Sequence, residues 1–169
     1  MNIYLVGFMG TGKTVVGKYL AKKLKLQFID LDTVIEAKEK TKIKDIFSQH
    51  GEDYFREKEK EAVAVVSKKK NIVVATGGGV VINSENLKRL KESGVVICLS
   101  SSPEVIFKRT GTQNQRPLLN IDNPEKEIES LLKKRAGFYA RADFNIDTSL
   151  KSIEEVAQEI IHVLKSVQN

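Results

Sequence analysis

Gly7 to Thr14 read GFMGTGKT, which fits the spacing G-x-x-x-x-G-K-[ST]. That spacing suits a bound polyphosphate. Gly7, Gly10 and Gly12 let the backbone turn its amide N–H groups inward. There they meet anionic oxygens at the positive end of the following helix. Lys13 would reach the β- and γ-phosphates, and the Thr14 hydroxyl would ligate Mg²⁺. The nucleotide-binding stretch is therefore Gly10, Thr11, Gly12, Lys13, Thr14 and Val15. The alternative is a glycine turn that happens to precede Lys-Thr. With glycine at ~7% of residues, chance alone gives such a match in fewer than roughly one chain in a hundred.

Other residues of chemical interest recur along the chain. Asp30 and Asp32 close the segment QFIDLD. Alternating along a strand end, they would point to opposite sides. Asp32 is expected to face a substrate and Asp30 to stand beside the Mg²⁺, with capping of the next helix by Asp32 as the alternative. Gly77, Gly78 and Gly79 exceed what a tight turn needs and would let the backbone approach a bound molecule closely. Arg56, Arg109, Arg116 and Arg135 lie away from the lysine-rich faces and offer planar forks for carboxylate or phosphate. Arg116, between Gln115 and Pro117, would bring charge onto a transferring phosphoryl group. His50 and His162 have no metal-ligand spacing, and no Ser-His-Asp or Cys-His set is evident.

These groups need elements to hold them. Apolar runs at NIYLV, QFIDLD, NIVVA, VVICLS and DFNIDT read as five strands. VVGKYLAKKL after the glycine loop has helical spacing. The segment from Thr33 to Val66 is largely helical with a break at Gly51, longer than a simple crossover, and reads as an inserted lobe. Asn83 or Ser84 caps a helix ending at Gly94, and Ser152 with Glu155 forms a capping box for the last one. Residues 110–124 lose periodicity and read as a lid or a disordered loop. Strands alternating with helices predict an α/β fold with a doubly wound parallel sheet, one domain over 1–169. Ligands bind at the carboxyl ends of such strands, where the glycine loop, the aspartates and the triple glycine all fall.

Composition narrows the function further. The chain has 169 residues, 41% hydrophobic and 30% charged, enough for one ordinary core. Aromatics are few and Trp is absent, against stacking on single-stranded nucleic acid. The net charge of +6 comes from lysines interleaved with glutamates, as in EAKEKTKIKD. That pattern predicts solvated helix faces and no nucleic-acid partner. Cys98 alone excludes an internal disulfide. No run approaches the ~20 apolar residues of a membrane span. The first strand starts at once, without a signal-peptide pattern, so a cytoplasmic location is expected.

With these residues in view, the chain resembles shikimate kinases over essentially its whole length. GFMGTGKT, the D-x-D of Asp30 and Asp32, the FRxxE of Phe55 to Glu59, the TGGG of Thr76 to Gly79, and the RPLL of Arg116 to Leu119 occur in family order. Arg135 and Tyr139 match an R-x-x-x-Y core. Asp143 stands where that motif continues with alanine, and Ala142 is one residue early. The glycine loop alone marks a nucleotide binder, whereas FRxxE, TGGG and RPLL together are far more specific.

The resemblance implies a nucleoside monophosphate kinase-like fold with a five-stranded parallel sheet of order 2-3-1-4-5. It implies a shikimate-binding lobe over 33–61 and a lid over 110–124. Asp32, Arg56, Gly78 and Arg135, with Gly77 and Gly79, would hold shikimate; Arg116 would touch the ATP phosphates and Arg109 lie by the adenine. The reaction implied is transfer from MgATP to the 3-hydroxyl of shikimate, by a monomer. Lys13, Asp32 and Arg116 would be catalytic, with Thr14 and Asp30 at the metal. The rival readings are another P-loop kinase, for gluconate or a nucleotide, and a regulatory nucleic-acid binder that exploits the positive charge.

Overall fold

The computed structural model describes residues 1–110 and 123–167. Arg116 and most of the expected lid lie outside them. Five strands, β1 (Ile3–Val6), β2 (Gln27–Asp30), β3 (Ile72–Ala75), β4 (Val95–Ser100) and β5 (Phe144–Asp147), form one parallel sheet of order β2-β3-β1-β4-β5. β1 is central, with Leu5 opposite Ala75 on one side and Ile97 on the other.

Strand geometry explains the two-layered core. Successive side chains point to opposite faces. Tyr4 and Val6 join one apolar cluster while Ile3 and Leu5 join another. Both faces of β1 are thus covered, which is why it reads as an unbroken apolar run. Each of its side chains is fully buried, worth about 1.5–3 kcal/mol apiece. Helices α1 (Lys13–Leu24) and α7 (Ile153–Val167) cover the Ile3 face. The Tyr4 face is covered by α2 (Leu31–Glu39), α3 (Ile43–Val66), α4 (Ser84–Ser93), α5 (Pro103–Thr110) and α6 (Pro124–Tyr139).

Local chemistry sets the helix boundaries. Asn83 caps α4, its Oδ1 accepting from the N–H groups of Glu85 and Asn86. At α7 the capping box forms: Glu155 N–H donates to Ser152 Oγ, and Ser152 N–H donates to Glu155 Oε2. α3 is kinked at Gly51, where φ is 81° and ψ 176°. Both halves of α3 meet α2: Ile43 N–H donates to Glu36 Oε1, and Tyr54 Oη donates to Glu39 Oε2.

One boundary differs from expectation. β2 stops at Asp30 and α2 begins at Leu31, so Asp32 sits in the first turn of a helix rather than on a strand end. The cap is Asp30, not Asp32: its Oδ1 accepts from Asp32 N and Thr33 N at 3.1 and 3.3 Å. A short carboxylate two residues ahead of free amides satisfies them directly. The alternating-strand argument for the two side chains therefore fails. What separates them is a helix start.

Candidate active site

The glycine loop links β1 to α1. At Gly7 φ is +133°, and a Cβ there would lie 2.1 Å from Leu99 O, so only glycine fits between the strands. α1 is capped by Gly12 without a side-chain acceptor and has no acidic residue in its first turn. Its first N–H groups therefore face outward, a setting that attracts anions. Lys13 Nζ donates to Gly7 O and Phe8 O, both at 2.8 Å, folded over the loop it belongs to. Thr14 Oγ1 donates to Asp30 Oδ2 at 3.1 Å. Asp30 thus caps α2 with one oxygen and meets the loop hydroxyl with the other.

Arg109 and Thr148 fasten the loop to the far edge of the sheet. Arg109 donates to Gly10 O and to Thr148 O, each at 3.1 Å. Thr148 Oγ1 donates to Thr11 O at 3.0 Å. Thr11 itself is fully buried, its hydroxyl bonded to Phe8 O. It does not line the cavity and shapes the loop from behind.

The other half of the site is a set of charges packed on the triple glycine. Arg56, beyond the α3 kink, donates to Glu59 Oε2 at 2.9 Å and to Glu52 Oε1 at 3.1 Å. A Cβ on Gly79 would lie 2.5 Å from Arg56 Nη2, and one on Gly77 would lie 2.8 Å from Glu59 Oε1 and 3.3 Å from Asp32 Oδ1. A Cβ on Gly78 would meet Arg135 Nη1 at 3.5 Å. At Gly77 and Gly79 charged groups rest too close for a side chain, whereas the 3.5 Å contact at Gly78 is an ordinary one.

Arg135 is buried and lies over the Phe8 ring, 5.6 Å from its centroid, a cation–π placement. Phe8 thereby ties the phosphate loop to the second guanidinium. Glu59 is 1% exposed and its Oε1 has no hydrogen-bond partner among the described residues. Burial pushes its carboxyl above the usual range, against the pull of Arg56 and Arg135 and helped by nearby Asp32. Tyr139, one turn after Arg135, donates to Gly78 O at 2.6 Å. Burial raises its phenol to about 12.

Around these groups lies a cavity of about 600 Å³. Gly10, Gly12, Lys13, Thr14, Val15, Asp30, Asp32, Arg56, Gly77, Gly78, Gly79, Arg109 and Arg135 all line it. Of the expected site residues, Thr11 stands behind the wall and Arg116 lies outside the described residues. Sequence reasoning assigned no site role to Phe8, Glu59 or Tyr139. For Glu59 a signal was present: an acid three residues after Arg56, on the face of α3 that carries buried Phe55, Ala62 and Val63. Phe8 gave none, since an apolar residue in that loop has no pattern of its own.

Thr14 and Asp30 offer oxygen donors suited to a hard cation. Among the described residues no three His, Cys, Asp or Glu side chains form a metal cluster. An ion here would complete its shell from phosphate and water, the habit of Mg²⁺. No described helix is long and apolar enough to cross a membrane.

Comparison with known proteins bears on the acceptor. The family model described as shikimate kinase matches residues 9–165. A shikimate kinase of Thermodesulfovibrio yellowstonii is 51% identical over 99% of this chain and 97% of its own. Another, from Thermoanaerobacter pseudethanolicus, is 51% identical over 95% of this chain and 94% of its own. The solved structure of the Acinetobacter baumannii shikimate kinase in complex with shikimate superposes with a TM-score of 0.94. It is 39% identical, covering 98% of this chain and 93% of that one.

Proposed function

We infer the reaction from a chain that belongs to the shikimate kinase family: it phosphorylates shikimate with ATP, giving shikimate 3-phosphate in aromatic amino-acid biosynthesis. The observation that carries this reading is one continuous cavity. It joins an outward-facing helix start at the phosphate loop to two guanidinium groups, Arg56 and Arg135, across the triple glycine. One end suits a polyphosphate and the other a carboxylate on a small ring.

In this reading the acceptor carboxylate meets Arg56 and Arg135, with Gly77, Gly78 and Gly79 as its floor. Asp32 holds the 3-hydroxyl and takes its proton. The hydroxyl oxygen bonds to the γ-phosphorus as the bond to the β–γ bridging oxygen breaks. Lys13 leaves its loop carbonyls for the phosphates and stabilises their charge, and Arg116 adds to it. Thr14, with Asp30 beside it, would hold Mg²⁺. Bound there, that ion supplies neutralisation of the phosphate oxygens. Arg109 stands at the nucleotide end. Most of the work is alignment and charge.

The unit acts as one kinase domain, a monomer in the cytoplasm, with an acceptor lobe over 33–61 and a lid over 110–124, and with no nucleic-acid partner. What supports the monomer is that every group the reading uses comes from one chain.

The test is an acceptor panel. Purified chain with MgATP should release ADP on addition of shikimate, and not with gluconate or a nucleoside monophosphate. Turnover of either of those, with none on shikimate, overturns the reading.

A further inference from the structure

The floor of the acceptor end is tied down from behind. Tyr139 Oη donates to Gly78 O at 2.6 Å. Tyr139 does not line the cavity, whereas Gly78 and Gly79 do. No peptide bond is cis, so the Gly78 C=O and the Gly79 N–H point opposite ways across one rigid plane. Holding the carbonyl toward Tyr139 turns the Gly79 N–H away from it. Gly79 is buried, and its N–H has no hydrogen-bond partner among the described residues. Buried amides are seldom left so. The same residue stands beside a carboxylate-binding group, since a Cβ on Gly79 would run into the Arg56 guanidinium.

The geometry points to Tyr139 as a positioning residue for acceptor binding: its hydroxyl orients the Gly78–Gly79 peptide so that the Gly79 N–H meets an oxygen of the bound acceptor. This rests on reading the cavity as the shikimate site. Tyr139 does not line the cavity; its hydroxyl meets the Gly78 carbonyl and also lies against the Arg135 guanidinium, so it supports the floor from behind on both counts. Its place in α6 is what makes this economical. Arg135 lies one turn earlier on the same helix face, so a single helix delivers a guanidinium to the cavity and a hydroxyl to the back of its floor. The phenol stays a donor over any assay pH, since burial holds its titration at about 12.

Tyr139→Phe removes the hydroxyl and keeps the ring. The expected result is a rise of about tenfold in the KM for shikimate, the scale of one lost hydrogen bond. The KM for ATP should stay within about twofold, because the nucleotide end is untouched. An unchanged KM for shikimate, or equal rises in both constants, overturns the proposal; the second result would mean the hydroxyl merely supports the fold. Should the variant not fold, the unmodified protein still decides. Its Gly79 amide NMR cross-peak must move on addition of shikimate alone, and a cross-peak that stays put overturns the proposal. Turnover of shikimate by the unmodified chain is measured alongside. If that is absent, the functional reading falls and this one with it. If it is present and Tyr139→Phe behaves like the parent, only the positioning role is lost.

Discussion

The Arg56 guanidinium lies where a side chain on Gly79 would be: a Cβ built there sits 2.5 Å from Nη2 and 2.7 Å from Cζ. The contact is with the far end of a flexible side chain, so a methyl group would move the guanidinium rather than the fold. Gly79→Ala should therefore raise the KM for shikimate about tenfold or more, equal to roughly 1.4 kcal/mol, with the KM for ATP unchanged. Steady-state kinetics with each substrate varied in turn checks this. A parental KM for shikimate would show that the position of Arg56 is immaterial.

Arg56→Ala goes further and removes the fork itself. Loss of one partner from a desolvated charge pair costs about 2–5 kcal/mol, so shikimate binding should weaken by that amount while ATP binding holds. Titration calorimetry with each ligand separately is the measurement. A variant that loses ATP and keeps shikimate would move Arg56 out of the acceptor end.

Lys13 spends its hydrogen bonds on Gly7 O and Phe8 O, carbonyls of a loop already held by Thr11, Thr148 and Arg109. Lys13→Ala should lower kcat by about 10²–10³-fold, the usual cost of one charge-stabilising donor. The circular dichroism spectrum and melting temperature should stay close to those of the parent. Turnover within tenfold of the parent would exclude Lys13 from transition-state stabilisation.

Glu59 gives a pH signature. Burial, more than the opposing pull of Arg56 and Arg135 or the added push of Asp32, raises its folded-state pKa above the ordinary carboxyl value. The folded chain then holds a proton that the unfolded chain releases, so stability falls as pH rises from the unfolded value through the raised one. Glu59→Gln stays neutral throughout and should lack this decline. Urea unfolding of both proteins from pH 4 to 8 should show the parent losing stability relative to the variant as pH increases. A constant difference across that range would mean that folding does not shift the Glu59 pKa, and a rise in the parent's relative stability with pH would mean that the two arginines hold it ionised.

The phosphate loop was legible from sequence because its chemistry is local: contiguous residues create the turn, the amides and the lysine. The strands were legible for a similar reason, since burial on both faces leaves unbroken apolar runs. Asp32 was harder. Two carboxylates separated by one residue look alike as letters, and only the stop of β2 at Asp30 shows which caps the helix. The triple glycine was seen for a sound reason and an incomplete one. It reads as access for a ligand, and in the structure it seats Glu59, Asp32, Arg135 and Arg56.

Sequence by itself determined the elements, the glycine loop and the residue types that meet at the cavity, because periodicity and short motifs act between near neighbours. Tertiary structure decided the pairings: Phe8 under Arg135, Tyr139 behind Gly78, Glu59 against Arg56 and Gly77. Most of those contacts join segments far apart in the chain. They exist because a parallel sheet carries the ends of β1 and β3 to one edge, where α3 and α6 can close over them.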